Sequence, residues 1–283
     1  MDSLNRFRPA SGAVLLPSWL PSWLPAFRPT LLLPALLAGF AACGPPAERP
    51  DCFKPAGPEA REYRRVPGFS TIEVFDNVRV VLAVGDAPFG VDVAGGRNLL
   101  AEINTDVRPA TEPARFKLVI TNANRCNFVR DQTRPLSVTV HLPDSAARRR
   151  LTVLHKGEEP ITTAAPGTRL DSLFLISTNI GDADLDLESI YVWLGCYEYG
   201  DIRLRGRARD LRCTASGIGQ LRAENLLCDY AYVKGYRDGE LHVRATQNVG
   251  IELFGNGNGY WYGQPAGQDF HAYGPGKVSF GGE

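Results

Sequence analysis

Five glycines recur at a nearly constant spacing in the second half of the chain, and this repeat restricts the folds open to it. They are Gly181, Gly200, Gly219, Gly239 and Gly259, separated by 19, 19, 20 and 20 residues. A period near 20 residues is typical of solenoids, in which every repeat forms one turn of a coil. The spacing therefore predicts stacked turns rather than a bundle of helices, because glycine weakens helix interiors.

Apolar or small side chains stand at equivalent places before each glycine. Those eight residues before are Leu173, Val192, Leu211, Ala231 and Ile251, and those six before are Leu175, Leu194, Cys213, Val233 and Leu253. Positions that differ by two point to the same face of a strand. Each repeat is therefore predicted to form a strand, a turn and a second strand, with these residues inside. We expect the glycine to provide the positive φ that a sharp turn needs.

The segment from Phe69 to Leu142 alternates apolar and polar residues without the same period. This alternation predicts further strands, and only the stretch 97–104 has the pattern of a short helix. We predict an all-β protein, with a β-helix or β-solenoid of 19–20-residue rungs in the C-terminal half. A less regular β region is expected at its N-terminal side.

The N-terminal region has the features of an export signal. The apolar stretch Thr30–Ala42 is preceded by Arg6, Arg8 and Arg28 and is followed directly by Cys43. The stretch of 13 residues is shorter than the ~20 that a membrane-spanning helix needs. A basic segment, a short apolar core and small residues before a cleavage point are typical of a secretory signal. Residues 1–42 are therefore predicted to be a lipoprotein-type signal peptide.

The sequence FAAC resembles a bacterial lipobox, so Cys43 is the predicted lipidation site. A plain signal peptide followed by an unrelated cysteine is the alternative. Residues 43–62 begin with GPPAERPD, which has the composition of an extended tether. No acidic residue follows Cys43 directly, so we expect export to the outer membrane, on its periplasmic side or at the cell surface.

The remaining cysteines divide into two groups. Cys52 and Cys126 lie in polar, loop-like surroundings, and an exported chain can keep a disulfide, so these two are predicted to pair. Cys196, Cys213 and Cys228 fall within the repeat and are expected to be small buried side chains. A diagonal disulfide between Cys196 and Cys213 is the alternative for that pair.

Charge and motifs argue against several classes of function. Lys plus Arg and Asp plus Glu each number 31, so the basic excess of a nucleic-acid-binding protein is missing. The four histidines show no metal-ligand spacing, and Asp182, Asp184 and Asp186 are expected to form a solvated strand face rather than a calcium site. No catalytic motif stands out, so we predict no enzyme, no metal and no cofactor.

Aromatic residues recur at outward positions of the repeat, where they could bind a partner. The candidate binding face consists of Phe174, Tyr191, Trp193, Tyr197, Arg212, Tyr230, Tyr232 and Tyr236. Aromatic rings on a flat β face can stack on sugar rings or pack against a protein. Alternatively, these residues pack under the first half of the chain.

The strings VPGFSTIEVFDNVRVVLAVG, RNLLAEINTDV and NRCNFVRDQTRPLSVTVHLPD, followed by GDIRL-type turns, resemble the head GIN-domain family of putative auto-transporter adhesins. The resemblance covers about residues 52–262 and implies a β-helix-like fold. We predict a head GIN-like domain over residues 63–265, followed by a C-terminal tail at 266–283. The resemblance also implies export to the cell envelope, matches the pair Cys52 and Cys126, and brings no catalytic residues.

The sequence thus predicts a non-enzymatic envelope lipoprotein, held to the membrane by its lipid. It would act as an adhesin or binding module for glycans or envelope proteins, without nucleic acid as a partner. A structural envelope component with protein partners only is the alternative. A carbohydrate-active enzyme is a third hypothesis, and it requires carboxylates that converge in a groove.

Overall fold

A computed structural model of the chain describes residues 55–111, 115–125 and 135–282. Strands make up 64% of it and helix 3%, and the C-terminal half forms a β-solenoid of about seven turns. The predicted fold class is confirmed. The prediction that 97–104 holds the only helix is wrong, because its short 3₁₀ turn (Leu100–Glu102) is joined by a one-turn helix, α1 (Asp144–Ala147).

The strands of the first half are β1 (Glu59–Arg65), β2 (Thr71–Asp76), β3 (Arg79–Gly85), β4 (Gly90–Gly96), β5 (Ile103–Pro109), β6 (Phe116–Asn122), β7 (Ser137–Pro143), β8 (Arg150–Gly157) and β9 (Ile161–Thr163). Those of the second half are β10 (Thr168–Arg169), β11 (Ser172–Ser177), β12 (Ala183–Cys196), β13 (Ile202–Ala215), β14 (Leu221–Gly235), β15 (Leu241–Leu253), β16 (Gly259–Tyr262), β17 (Gly267–Ala272) and β18 (Val278–Gly282).

The long strands β12 to β15 stack in parallel, each one turn of the solenoid above the last. Ala183 lies opposite Ile202, and Ile202 lies opposite Leu221, so the register follows the 19-residue repeat. The first part of β12 pairs with β9 and its second part pairs with β11. Each long strand therefore turns a corner and contributes to two faces of the coil.

Equivalent inward side chains form ladders through the core, as the spacing predicts. Leu173, Val192, Leu211 and Ala231 lie side by side in register and are fully buried. Because burying one Leu or Val contributes about 1.5–3 kcal/mol, a ladder stabilises every turn through its neighbours.

The first half extends the same two faces rather than forming a separate layer. On one face β2 pairs in parallel with both β6 and β8, and on the other β3 pairs with both β7 and β9. The turn β6–β7 thus lies outside β2–β3, although it comes later in the chain. Beyond it the sheet ends in antiparallel strands, with β4 on β7, β1 on β4 and β5 on β6.

The sequence repeat places its fifth turn glycine two residues too late. Gly259 lies opposite Leu241, so it takes an inward strand position. The turn position belongs to Gly257, and Gly276 continues the series one turn later, because a Cβ on either would strike the backbone of the preceding glycine. Since two residues are one strand period, Ile251 and Leu253 still point inward and are buried.

The segment 266–283, expected to be a tail, contains two strands of the solenoid. β17 pairs with β15 and β18 pairs with β16, both in parallel. Tyr260, Trp261 and Tyr262, at the glycine-rich end of the repeat, are therefore followed by a further turn.

The export and disulfide predictions concern residues outside the described part of the chain, since Cys43, Cys52 and Cys126 all lie there. The signal peptide, the lipid anchor and the first part of the tether stay predictions. The end of the predicted tether at 43–62 is instead structured, because β1 begins at Glu59 and pairs with β4. Cys196, Cys213 and Cys228 are buried free thiols. None of the helices within the described ranges has the length and apolar character needed to cross a membrane.

Candidate functional site

Four residues of the candidate binding face form one column across neighbouring turns of the solenoid. Phe174 lies opposite Trp193, Trp193 opposite Arg212, and Arg212 opposite Tyr232. The Phe174 and Trp193 rings stack with centroids 6.0 Å apart, and the Arg212 guanidinium lies 5.1 Å from the Tyr232 ring centroid. We call this row the aromatic column. Because adjacent strands are about 4.8 Å apart, its four side chains span about 14 Å.

A second column, displaced by two residues along the strands, borders the first. Tyr191 and Tyr230 flank Asp210 in register, and Arg209 makes an ion pair of 2.8 Å with that aspartate. The Tyr191 ring lies 5.5 Å from that of Phe174, so the two columns are in contact.

Arg150 closes the same surface toward the first half of the chain. It lies opposite Ser172, which on its other side lies opposite Tyr191. The Arg150 guanidinium is 4.1 Å from the Phe174 ring centroid. The guanidinium of Arg150 over the Phe174 ring and that of Arg212 over the Tyr232 ring add favourable cation–π interactions. The alignment of the five repeat glycines begins one turn after β8, so the outward positions taken from it do not include Arg150.

Two glycines make room for large rings on this face. A Cβ on Gly195 would lie 2.7 Å from the Tyr197 ring and 3.1 Å from that of Trp193. A Cβ on Gly250 would lie 2.6 Å from the ring of Tyr232. Tyr197 therefore folds back from its turn toward Trp193, and Tyr232 lies over the backbone of the next strand.

Tyr236 belongs to a different row, at the corner where the strands end. Its ring stacks on Phe254 at 4.8 Å, and Phe254 stacks on Tyr273 at 4.9 Å. These three rings, which we call the turn stack, are 44%, 40% and 66% exposed. Phe254 and Tyr273 stand three residues before Gly257 and Gly276, as Tyr236 does before Gly239. The two-residue error at the fifth glycine concealed them from sequence reasoning.

The face remains open rather than packed under the first half of the chain. Arg212, Tyr197, Tyr230 and Tyr236 are exposed, and the other four predicted residues are half-buried. The first half extends the two sheets lengthwise, so among the described residues it does not cover the columns.

The acidic residues considered for calcium are instead paired with arginines of the next turn. Asp182 lies 3.3 Å from Arg203, while Asp184 and Asp186 lie 2.8 and 3.8 Å from Arg205. The Asp182 carboxylate also accepts a hydrogen bond from the backbone N–H of Asp201. Over the described ranges no three His, Cys, Asp or Glu side chains come together as a metal site. These acids therefore hold neighbouring turns together.

The sequence of this chain matches the model of a known protein family. The family model of the putative auto-transporter adhesin, head GIN domain, matches residues 68–265. The chain belongs to this family. The matched region of the head GIN domain spans β2 to β16 and contains both columns.

Several solved structures have a fold similar to that of the head GIN domain. A putative adhesin from Bacteroides fragilis superposes with a TM-score of 0.64 at 18% identity, covering 78% of this chain and 96% of its own. A putative lipid binding protein from Parabacteroides distasonis gives 0.51 at 16% identity, covering 79% and 97%. A putative adhesin from Parabacteroides merdae gives 0.52 at 16% identity, covering 80% and 98%. At these identities the likeness concerns the fold, and a comparison with curated proteins gave no match.

Proposed function

We propose that the protein is a non-enzymatic adhesin of the cell envelope, held by a lipid on Cys43, whose aromatic column binds glycans. The observation that carries the proposal is the open row of Phe174, Trp193, Arg212 and Tyr232 on a rigid β face. Successive rings offer flat apolar surfaces to sugar rings, and the guanidinium donates hydrogen bonds to hydroxyl or carboxylate oxygens.

A rigid scaffold favours such binding because the side chains are ordered before the ligand arrives. Each ring of the column is held by its neighbours in register and by strands that are hydrogen-bonded on both sides. Binding therefore requires little further ordering, which is a main cost of association. Arg150 and Arg212 favour glycans that carry acidic sugars.

Glycoside hydrolysis would need two carboxyl groups that flank one bond. The charged residue of the aromatic column is Arg212, and the one beside Phe174 is Arg150. The carboxylate of Asp210 is paired with Arg209. This arrangement supports binding without cleavage.

The test is a glycan array and a polysaccharide pull-down with the full chain and with Trp193→Ala combined with Tyr232→Ala. We expect the double variant to lose binding, and the bound glycan to be recovered intact. Tyr63→Ala is the matched control, because Tyr63 is also exposed but lies on β1, away from both columns. Retained glycan binding in the double variant would rule out this face.

A structural envelope component with protein partners only is the second candidate function, favoured by the exposed turn stack. It predicts that no glycan binds and that the chain crosslinks to a stable envelope protein. Loss of that crosslink in Phe254→Ser combined with Tyr273→Ser would support it, while Trp193→Ala combined with Tyr232→Ala would leave it intact.

A further inference from the structure

A cavity of about 480 Å³ lies beside α1, where the chain crosses from β7 to β8. Its apolar lining is formed by Phe69, Phe89, Phe116, Leu142, Leu151 and Leu170. The Phe69 and Phe89 rings pack against each other with centroids 5.0 Å apart. This volume falls within the range of small-molecule sites, about 300–1,000 Å³.

The charged residues of the lining all carry the same sign. They are Arg115, Arg149 and Arg150, and the described residues contribute no Asp or Glu to the cavity wall. Arginine is suited to carboxylates and phosphates, since its planar guanidinium can donate two parallel hydrogen bonds. The cavity therefore combines an apolar interior with a positively charged rim.

A hydroxyl in the wall lacks a partner. The Oγ atom of Ser70 is buried and makes no hydrogen bond within the described residues. Because an unsatisfied buried polar atom costs free energy, such an atom beside a cavity marks a place where a ligand can contribute a hydrogen bond.

A second, more open cavity of about 520 Å³ adjoins the first, and Gly68 and Phe89 line both. Its other walls are Val66, Pro67 and Pro88, with Arg65 at its edge. Together the two cavities offer apolar surface to an extended chain and cationic groups to its charged end.

From this arrangement we propose that the paired cavities bind an amphipathic anion, an unbranched apolar chain that ends in a carboxylate or a phosphate. The chain lies against Phe89 and Phe116, which have accessible surface in the lining, and the anionic end meets Arg115 and Arg149. This site is separate from the aromatic column, apart from Arg150, which borders both. The proposal therefore does not depend on glycan binding.

The test is calorimetric titration of the full chain with dodecanoate, dodecyl phosphate and dodecanol, the two anions below their micelle concentrations and the alcohol below its solubility limit. We expect both anions to bind more tightly than the neutral alcohol, and the tighter of the two identifies the head group. Arg115→Gln combined with Arg149→Gln should weaken anion binding about tenfold or more and leave dodecanol unchanged. Arg148→Gln is the matched control, because Arg148 is exposed beside Arg149 but does not line the cavity.

A second variant tests the cavity itself. Ala146 is half-buried in the wall, so Ala146→Trp should fill the space and abolish binding of all three compounds. Circular dichroism establishes that the variant is folded, and the arginine pair gives an independent answer if it is not. Failure of both anions to bind the folded chain, or unchanged anion binding in the arginine variant, would overturn the proposal.

Discussion

A Cβ atom placed on Gly200 would lie only 2.2 Å from the carbonyl oxygen of Gly181, the equivalent glycine one turn earlier. Gly219 meets Gly200, and Gly239 meets Gly219, in nearly the same way. The expectation that these glycines provide a positive φ is wrong, because the positive-φ glycines of the described chain lie elsewhere, for example at Gly167 and Gly206. The repeat glycines are needed because successive turns bring two backbones into contact.

The substitution Gly200→Ala should destabilise the solenoid by about 3 kcal/mol, because the stacked backbone cannot move away from the added methyl group. Gly85→Ala is the control, since a Cβ there meets no atom within 4 Å. It should change the free energy of unfolding by less than about 0.5 kcal/mol. Urea unfolding followed by circular dichroism measures both, and equal stability of the two variants would contradict the close-contact explanation.

His155 is fully buried in the core, where its Nε2 atom contacts the backbone oxygen of Glu159 at 3.0 Å. Its Nδ1 atom has no hydrogen-bond partner in the described part of the chain. Burial, the largest influence, lowers the pKa of His155 below the usual 6.5, so the folded protein holds the ring neutral.

We expect the free energy of unfolding to fall as the pH drops below about 6.5. His155 then binds a proton more readily in the unfolded chain than in the folded one. His155→Leu should remove this slope, while His271→Asn should keep it, since His271 is exposed beside Asp269. Urea unfolding between pH 8 and 5 provides the measurement. A slope that persists in His155→Leu would assign the effect to another group.

A second loss of stability is expected below about pH 4.5, from Glu73. Burial pushes the pKa of Glu73 upward, but hydrogen bonds from Lys117 and Lys156, at 2.6 and 2.7 Å, outweigh burial and hold it below the usual 4.5. Protonation therefore destroys interactions that only the folded state makes. Glu73→Gln should lower stability at pH 7 and flatten the curve in this acidic range.

The three thiols of the solenoid should resist alkylation in the native protein. Cys196 and Cys213 lie with their sulfur atoms 3.7 Å apart in the core. Their contact, followed by burial, raises the pKa of Cys213 well above its usual value. Burial raises the pKa of Cys228 to about 12. Since thiolates are the reactive form, iodoacetamide at pH 8 should label none of the three until denaturant is added.

Mass spectrometry of the labelled peptides decides this prediction. The same experiment tests the predicted disulfide, because Cys52 and Cys126 should be labelled only after reduction as well as unfolding. Rapid native labelling of Cys213 would show that the core opens locally.

The lipid anchor is tested by Cys43→Ser, which should move the protein from the membrane fraction into the soluble fraction. Cys52→Ser is the control, since it removes a nearby cysteine that is not the predicted acylation site. Fractionation and immunoblotting give the answer, and membrane retention of Cys43→Ser would exclude acylation at that residue as the anchor.

The solenoid and most of its core could be predicted because both depend on local spacing. The 19-residue repeat places Leu173, Val192 and Leu211 in one buried ladder, and strand alternation gives the face on which each lies. The assignment of inward residues even survived the error at Gly259, since a slip of two residues preserves the direction of every side chain.

The candidate face was only partly predictable for the same reason. Trp193 and Tyr232 follow the repeat, whereas Phe254 and Tyr273 depend on the true register of the last turns. That register changes because β14 and β15 pair with irregularities. Such irregularities shift the alignment without leaving a clear mark in the sequence.

By itself, the sequence determined the period of the coil and the inward side of each strand, because backbone geometry imposes both on neighbouring residues. Only the tertiary structure decided which distant segments meet. It placed β6–β7 outside β2–β3, brought Arg115 and Arg149 to the wall of one cavity, and left the aromatic column open. These arrangements join residues far apart in the chain, and no local pattern specifies which of the available partners buries the most surface.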